Sequence, residues 1–145
     1  MNYFAYGSNM LRRRIEDRVG GVDELGVATL IGYRLCFNKK SSGGSGKANI
    51  MKDEQSHVLG VIYKLSDNQF RMLDEKEKRY HREALEFEIS NNVVRADTYV
   101  ADIDVIEEGL RPTAEYRQYL IDGAREHGFP SDYVESLEKV ALFPK

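Results

Sequence analysis

The run Tyr3-Phe4-Ala5-Tyr6-Gly7-Ser8-Asn9-Met10 constrains this chain more than any other segment. A short apolar stretch passes without a spacer into Gly-Ser-Asn. Residues 2 to 6 read as a buried strand and residues 9 to 18 as a helix that begins just past the turn. Where a strand stops and a helix starts, N–H groups are left free. Such groups bind anionic oxygens, and glycine at Gly7 permits close backbone approach. A plainer use of the same residues is that Ser8 or Asn9 caps the helix. The local sequence leaves both open.

A second segment carries acid–base potential. Ser66-Asp67-Asn68-Gln69 is a capping-box pattern, in which the Ser66 hydroxyl accepts from the Gln69 amide and the Gln69 side chain reaches back. The helix it opens carries Phe70 and Leu73 inward and ends near residues 75 to 78. Its end is Leu73-Asp74-Glu75-Lys76-Glu77. Carboxylates at a helix C-terminus oppose the dipole, so acids kept there are either a solvated charge run or functional. An acid of this cluster turned inward has its pKa raised by burial and becomes a competent general base. Spacing does not say which of the three it is.

The remaining elements follow the same signals. Residues 22 to 38 read as extended, broken near Gly32, with strand formers in Val27-Ala28-Thr29-Leu30-Ile31. Residues 41 to 46 read as a flexible Ser/Gly loop. The P-loop pattern fails there, because Gly46-Lys47 is followed by Ala48. Residues 48 to 51 and 57 to 65 read as two strands, with Gly60 marking a close backbone approach. Strands over about 80–90 and 93–103 are joined by an Asn91-Asn92 turn. Thr113 caps a helix over about 114–127 that ends near Gly128, and Pro130-Ser131 opens a last helix over about 131–140. Helices bracketing a mostly antiparallel sheet make an α+β fold, and 145 residues suit a single domain over 1–145.

Composition excludes several classes. Apolar residues are 41% and charged residues 31%, ordinary for a globular chain, and no apolar run approaches the ~20 residues of a membrane span. Cys36 is the only cysteine, which forbids an intramolecular disulfide; with a first strand starting at residue 2 or 3 and no signal-peptide pattern, a cytoplasmic location is expected. A net charge of −3 argues against nucleic acid as a partner. The cluster Arg12-Arg13-Arg14 spreads around a helix axis at about 100° per residue and reads as a solvated face. His57, His81 and His127 lack metal-ligand spacing, so no metal is expected. Cys36 lies in an apolar strand where a thiol is inert, and Ser8 lacks the Gly-x-Ser-x-Gly setting of a nucleophile.

Together the segments resemble the γ-glutamylcyclotransferase (AIG2-like) family over nearly the whole chain. The residues that carry the resemblance begin with Tyr3 to Asn9, Gly32-Tyr33-Arg34-Leu35-Cys36-Phe37, Ala48-Asn49-Ile50 and Val58-Leu59-Gly60-Val61-Ile62-Tyr63. They continue through Leu73 to Glu77, Pro112-Thr113-Ala114-Glu115-Tyr116 and the stretch from Gly123 to Tyr133. The resemblance implies a small barrel-like sheet with flanking helices and a reaction without cofactor. A γ-glutamyl amide would be converted to 5-oxoproline and a free amine, chemistry that belongs to glutathione metabolism. It assigns Glu77, the second Glu of Leu-Asp-x-x-Glu, as general acid/base. It assigns Tyr6, Gly7, Ser8 and Asn9 to the substrate loop, and Tyr99 and Tyr116 to the aromatic lining. The expected partner is a small γ-glutamyl substrate, with no nucleic acid and no membrane, in a monomer or homodimer. One departure is Lys78, where family members often have Gly directly after the catalytic Glu. Two other readings share these residues: a binding module that keeps the pocket without turnover, and a tailoring enzyme that removes a γ-glutamyl protecting group.

Overall fold

A computed structural model describes residues 1–144. Five strands close into a barrel in the order β1-β3-β2-β4-β5: β1 Asn2–Ala5, β2 Asp23–Lys40, β3 Gly46–Lys64, β4 Tyr80–Ile89 and β5 Asn92–Ala101. Among the described residues every strand pairing is antiparallel except β1 with β5, which closes the barrel at Tyr3 opposite Asp97. Four helices flank it: α1 Arg12–Val19, α2 Asp67–Lys76, α3 Ala114–Glu126 and α4 Ser131–Glu138. This is the expected α+β architecture.

The barrel interior is aromatic. Phe4 stacks on Phe87 with ring centroids 4.2 Å apart, and Tyr3 meets Phe70 and Tyr99 edge-on at 5.7 Å each. At Gly60 the close approach is real. A Cβ there would stand 2.5 Å from the Ala5 carbonyl oxygen and 2.5 Å from the Phe4 ring. Both expected caps form as well. Ser66 and Gln69 complete the capping box of α2, and Thr113 Oγ1 accepts from the Tyr116 N–H at the start of α3.

Several expectations are corrected. The helix expected over residues 9 to 18 is two pieces, a single 3₁₀ turn Ser8–Met10 and then α1, because Leu11 takes an extended conformation (ψ 119°) between them. The two strands expected at 48–51 and 57–65 are one strand, β3. Its register against β2 jumps from Ile31 opposite His57 to Tyr33 opposite Lys52. Residues 53–56 bulge outward there, pinned by Asp53 accepting from Gln55 N–H and the Ser56 hydroxyl, and opposite them Gly32 has φ +86°. The break expected near Gly32 is that bulge. The β4–β5 turn is Ser90-Asn91, with the left-handed residue at Ser90 (φ +54°), and Asn92 already pairs with Ile89. Residues 41–45 form a tight turn in which Ser41 N–H and Oγ both bond the Ser45 carbonyl.

Candidate active site

β1 delivers the chain through Tyr6 and Gly7 into the Ser8–Met10 turn at one mouth of the barrel. The turn is anchored from beneath. The Tyr63 hydroxyl donates to the Met10 carbonyl at 2.6 Å, and His127 Nε2 lies 2.8 Å from the same oxygen; a carbonyl only accepts, so that nitrogen carries the proton. α3 presses on the turn at Gly123, where a Cβ would fall 2.8 Å from Met10 Cβ. Neither Ser8 nor Asn9 caps a helix. The N–H groups of Gly7, Ser8 and Asn9 donate to no acceptor among the described residues. A Cβ on Gly7 would come within 3.3 Å of Ala48 Cβ and 3.4 Å of the Tyr116 hydroxyl, so glycine keeps this wall open.

Glu77, the residue that ends α2, lines with this turn a cleft of about 610 Å³. Asp74 instead accepts from the Tyr99 hydroxyl (2.7 Å) and from Arg82 (3.0 Å), and Glu75 is exposed. Only Glu77 of the three acids lines the cleft. Its side chain is 17% exposed. Asn9 Nδ2 donates to Glu77 Oε1 at 2.8 Å and to the Tyr3 hydroxyl at 3.0 Å, and Arg18 Nη1 lies 3.3 Å from the same Glu77 oxygen. Burial pushes the Glu77 carboxyl above the ordinary carboxylate range. Arg18, the Asn9 hydrogen bond, Lys47 and Arg14 oppose that rise without cancelling it. Lys78 introduces no left-handed backbone after Glu77; the left-handed residue is Arg79 (φ +66°), tied to Asp102 and Asp104.

Tyr6, Gly7, Ser8, Asn9, Glu77, Tyr99 and Tyr116 all line this one cleft. Their hydroxyls differ in use. Tyr6 donates to the Tyr99 carbonyl at 2.6 Å, and Tyr99 donates to Asp74, so both protons are already engaged. Tyr116 accepts from the Ala48 N–H at 3.1 Å and keeps its own proton for a ligand; burial pushes its pKa up to about 12. Ala48 stands opposite a bulge where Phe37 and Asn38 of β2 face one residue of β3, and its carbonyl accepts from the Tyr80 hydroxyl at 2.7 Å.

Sequence reasoning missed the cations. Arg14 and Arg18 enter the cleft from one face of α1, and Arg14 Nε donates to Ser8 Oγ at 3.2 Å. The arginine run is therefore not a solvated face: only Arg13 is exposed, while Arg12 bonds Glu16 and the Val22 carbonyl. The i, i+4 spacing of Arg14 and Arg18 just after the Gly-Ser-Asn turn was the available signal. Tyr3, Tyr80, Lys39 and Lys47 also line the cleft, brought there by strand pairing with no local cue. Among the described residues no three His, Cys, Asp or Glu side chains are grouped to hold a metal, and no helix is long and apolar enough to cross a membrane.

The AIG2-like family model matches residues 57–137, more than half of the chain. A gamma-glutamylcyclotransferase from Homo sapiens is 29% identical over 145 positions, covering 95% of this chain and 77% of that protein. One from Bos taurus is 28% identical over the same shares. A solved structure of a gamma-glutamyl cyclotransferase superposes with a TM-score of 0.90 at 26% identity, covering 99% of this chain and 89% of that one.

Proposed function

The chain belongs to the AIG2-like family, and from that premise we propose that it is a γ-glutamylcyclotransferase that needs no cofactor and uses Glu77 as its general acid/base. The observation that carries this reading is a carboxylate drawn out of water, Glu77, held by Asn9 and Arg18 in the same cleft as the Gly7, Ser8 and Asn9 N–H groups, which donate to no acceptor among the described residues. Its relatives named gamma-glutamylcyclotransferase align with almost the entire chain.

In the reaction the substrate's own α-amine attacks its γ-carbonyl carbon. Glu77 takes a proton from the ammonium, the new C–N bond closes the five-membered ring, and the carbonyl electrons move onto oxygen. Collapse of that tetrahedral centre breaks the original amide C–N bond as Glu77 returns the proton to the leaving amine; the same carboxylate then takes the second proton from the ring nitrogen, leaving the neutral lactam, and passes it to the amine, which departs as an ammonium. Nothing external is consumed. Because the attack is intramolecular, a pocket that folds the substrate gains an effective molarity of about 10⁵ M or more. Proton transfer by a positioned carboxylate adds ~10²–10⁴-fold. The N–H groups of the Gly7–Asn9 turn receive anionic oxygen, either the α-carboxylate or the developing oxyanion. The Tyr116 hydroxyl supplies one more donor, and the rings of Tyr3, Tyr6 and Tyr99 keep water from competing with the amine. The enzyme acts as one domain, a monomer or homodimer in the cytoplasm, on a small γ-glutamyl substrate.

Release of 5-oxoproline from a panel of γ-glutamyl amides tests the assignment. Wild type should turn over at least one member, and Glu77→Gln should lose ~10²-fold or more while keeping its fold. Glu75→Gln should be near neutral. Near-native turnover by Glu77→Gln would sink the assignment.

A further inference from the structure

Lys39 and Lys47 are direct partners across the β2–β3 ladder. Like charges placed opposite each other destabilise a strand pair, and these two are also drawn out of water. Lys39 is only 9% exposed, its ammonium 5.1 Å from the Tyr80 ring centroid. The Lys47 ammonium lies 5.4 Å from the Tyr116 centroid. Both line the cleft, and among the described residues neither makes a salt bridge. Burial lowers both ammonium pKa values; Lys47 lowers that of Lys39 further, Arg14 and Arg18 do the same to Lys47, and Glu77 opposes the fall at both without cancelling it. The bulge at Phe37 and Asn38 offsets the ladder by one residue immediately before Lys39, a device that re-aims side chains beside functional sites. Three other cations of the cleft have acidic partners: Arg18 has Glu77, Lys40 has Glu107, and Arg79 has Asp102 and Asp104. Arg14 bonds the Ser8 hydroxyl, and Lys76 and Lys78 are exposed to water, so Lys39 and Lys47 differ from them in being drawn out of water opposite one another. An arrangement so costly when empty is explained by an anion that arrives with the substrate.

We propose that Lys39 and Lys47 form a subsite for a dianionic leaving amine, so that the preferred substrates are γ-glutamyl conjugates of dicarboxylic amino acids. The inference rests on the cyclotransferase reading. The γ-glutamyl half is left to the Gly7–Asn9 turn, Arg14 and Glu77. Lys47, which flanks Tyr116 beside Ala48, meets the first carboxylate of the leaving amine. Lys39, opposite Lys47 on β2, meets the second.

The experiment compares kcat/KM for γ-glutamylglutamate and γ-glutamylglutamine, which differ by one carboxylate at equal size. Wild type should prefer the acidic conjugate by about tenfold or more, carried mainly in KM. In Lys39→Met and Lys47→Met that ratio should fall toward one, and Lys39→Arg should restore it. Relief of the repulsion should also leave ligand-free Lys39→Met at least as thermostable as wild type, which a structural role for the lysine would reverse. A wild-type ratio near one overturns the inference and leaves the cyclotransferase reading standing, and it decides the matter even where a variant fails to fold. Turnover of other γ-glutamyl amides but of neither conjugate has the same meaning. No turnover of any γ-glutamyl amide removes the reading itself.

Discussion

Glu77 ionises against its surroundings, and two predictions follow from the sign of that effect. Burial raises its pKa from the ordinary value of 4.5, with Arg18 the largest opposing influence. The proposed mechanism needs the base form, so kcat/KM should fall with decreasing pH through an inflection above the ordinary carboxylate range. Arg18→Met should move that inflection higher still, lowering activity more at pH ~6 than at pH ~8. An unmoved inflection would remove Arg18 from control of the base. The second prediction concerns stability. A carboxyl whose folded pKa is raised binds its proton more tightly in the folded state. Below the unfolded pKa it costs nothing; the cost grows as pH rises through that value and is complete above the folded pKa. Glu77→Gln keeps an acceptor for Asn9 and has no charge to bury. Its melting temperature should gain on wild type as pH rises from the ordinary carboxylate value through the raised one, even though the proposed mechanism makes the variant inactive. A constant difference across that range would show that ionisation of Glu77 is not what the fold resists.

Each element that positions Glu77 and its turn has a device that a single substitution removes. The Ser66–Gln69 capping box starts α2 in the phase that puts Glu77 at its end. Ser66→Ala should cost about 1 kcal/mol in denaturant melts. Gly60→Ala forces a methyl against the Ala5 carbonyl oxygen and the Phe4 ring, and so pushes on β1 just before the substrate turn. Overpacking of this kind costs about 1–3 kcal/mol, and calorimetry should show the loss. These devices were legible because each lies within a few residues of sequence: a Ser-x-x-Gln, a Thr after a proline, a glycine inside an alternating strand. The β2–β3 hairpin was less legible. Residues 53–56 are polar and read as a connection, yet they are an outward bulge within one strand, and their place is fixed by Gly32 on the partner strand. The interruption at Leu11 left no signal either, because it follows from docking of Met10 under Tyr63 and His127, far away in sequence.

At the scale of the whole molecule the charge is unevenly distributed. The chain carries a net −3, yet the cleft is lined by Arg14, Arg18, Lys39, Lys47 and Arg79 around one carboxylate. Net charge read from sequence spoke to nucleic acid and missed this, because strand pairing and the α1 face gather cations that are scattered along the chain. The acidic cluster and the glycine turn were legible for the opposite reason: each is a contiguous segment, although only the family resemblance singled out Glu77 within its cluster. A positive cleft in an acidic protein focuses its field on the site and draws anionic substrate inward, while acidic surface elsewhere repels it. Salt screens that attraction, since the Debye length contracts from about 30 Å at 0.01 M to about 3 Å at 1 M. For a γ-glutamyl substrate of net negative charge, kcat/KM should therefore decline as sodium chloride is raised over that range, and the decline should lie in KM. kcat should hold nearly constant, because Glu77 is buried and its neighbours Asn9 and Arg18 are at hydrogen-bond distance, well inside the screening length at all but the highest salt. A γ-glutamyl amide whose leaving amine is uncharged should show a shallower slope. Equal slopes for the two would mean that the cations act on the γ-glutamyl half alone, and a fall in kcat would mean that they act on the chemical step.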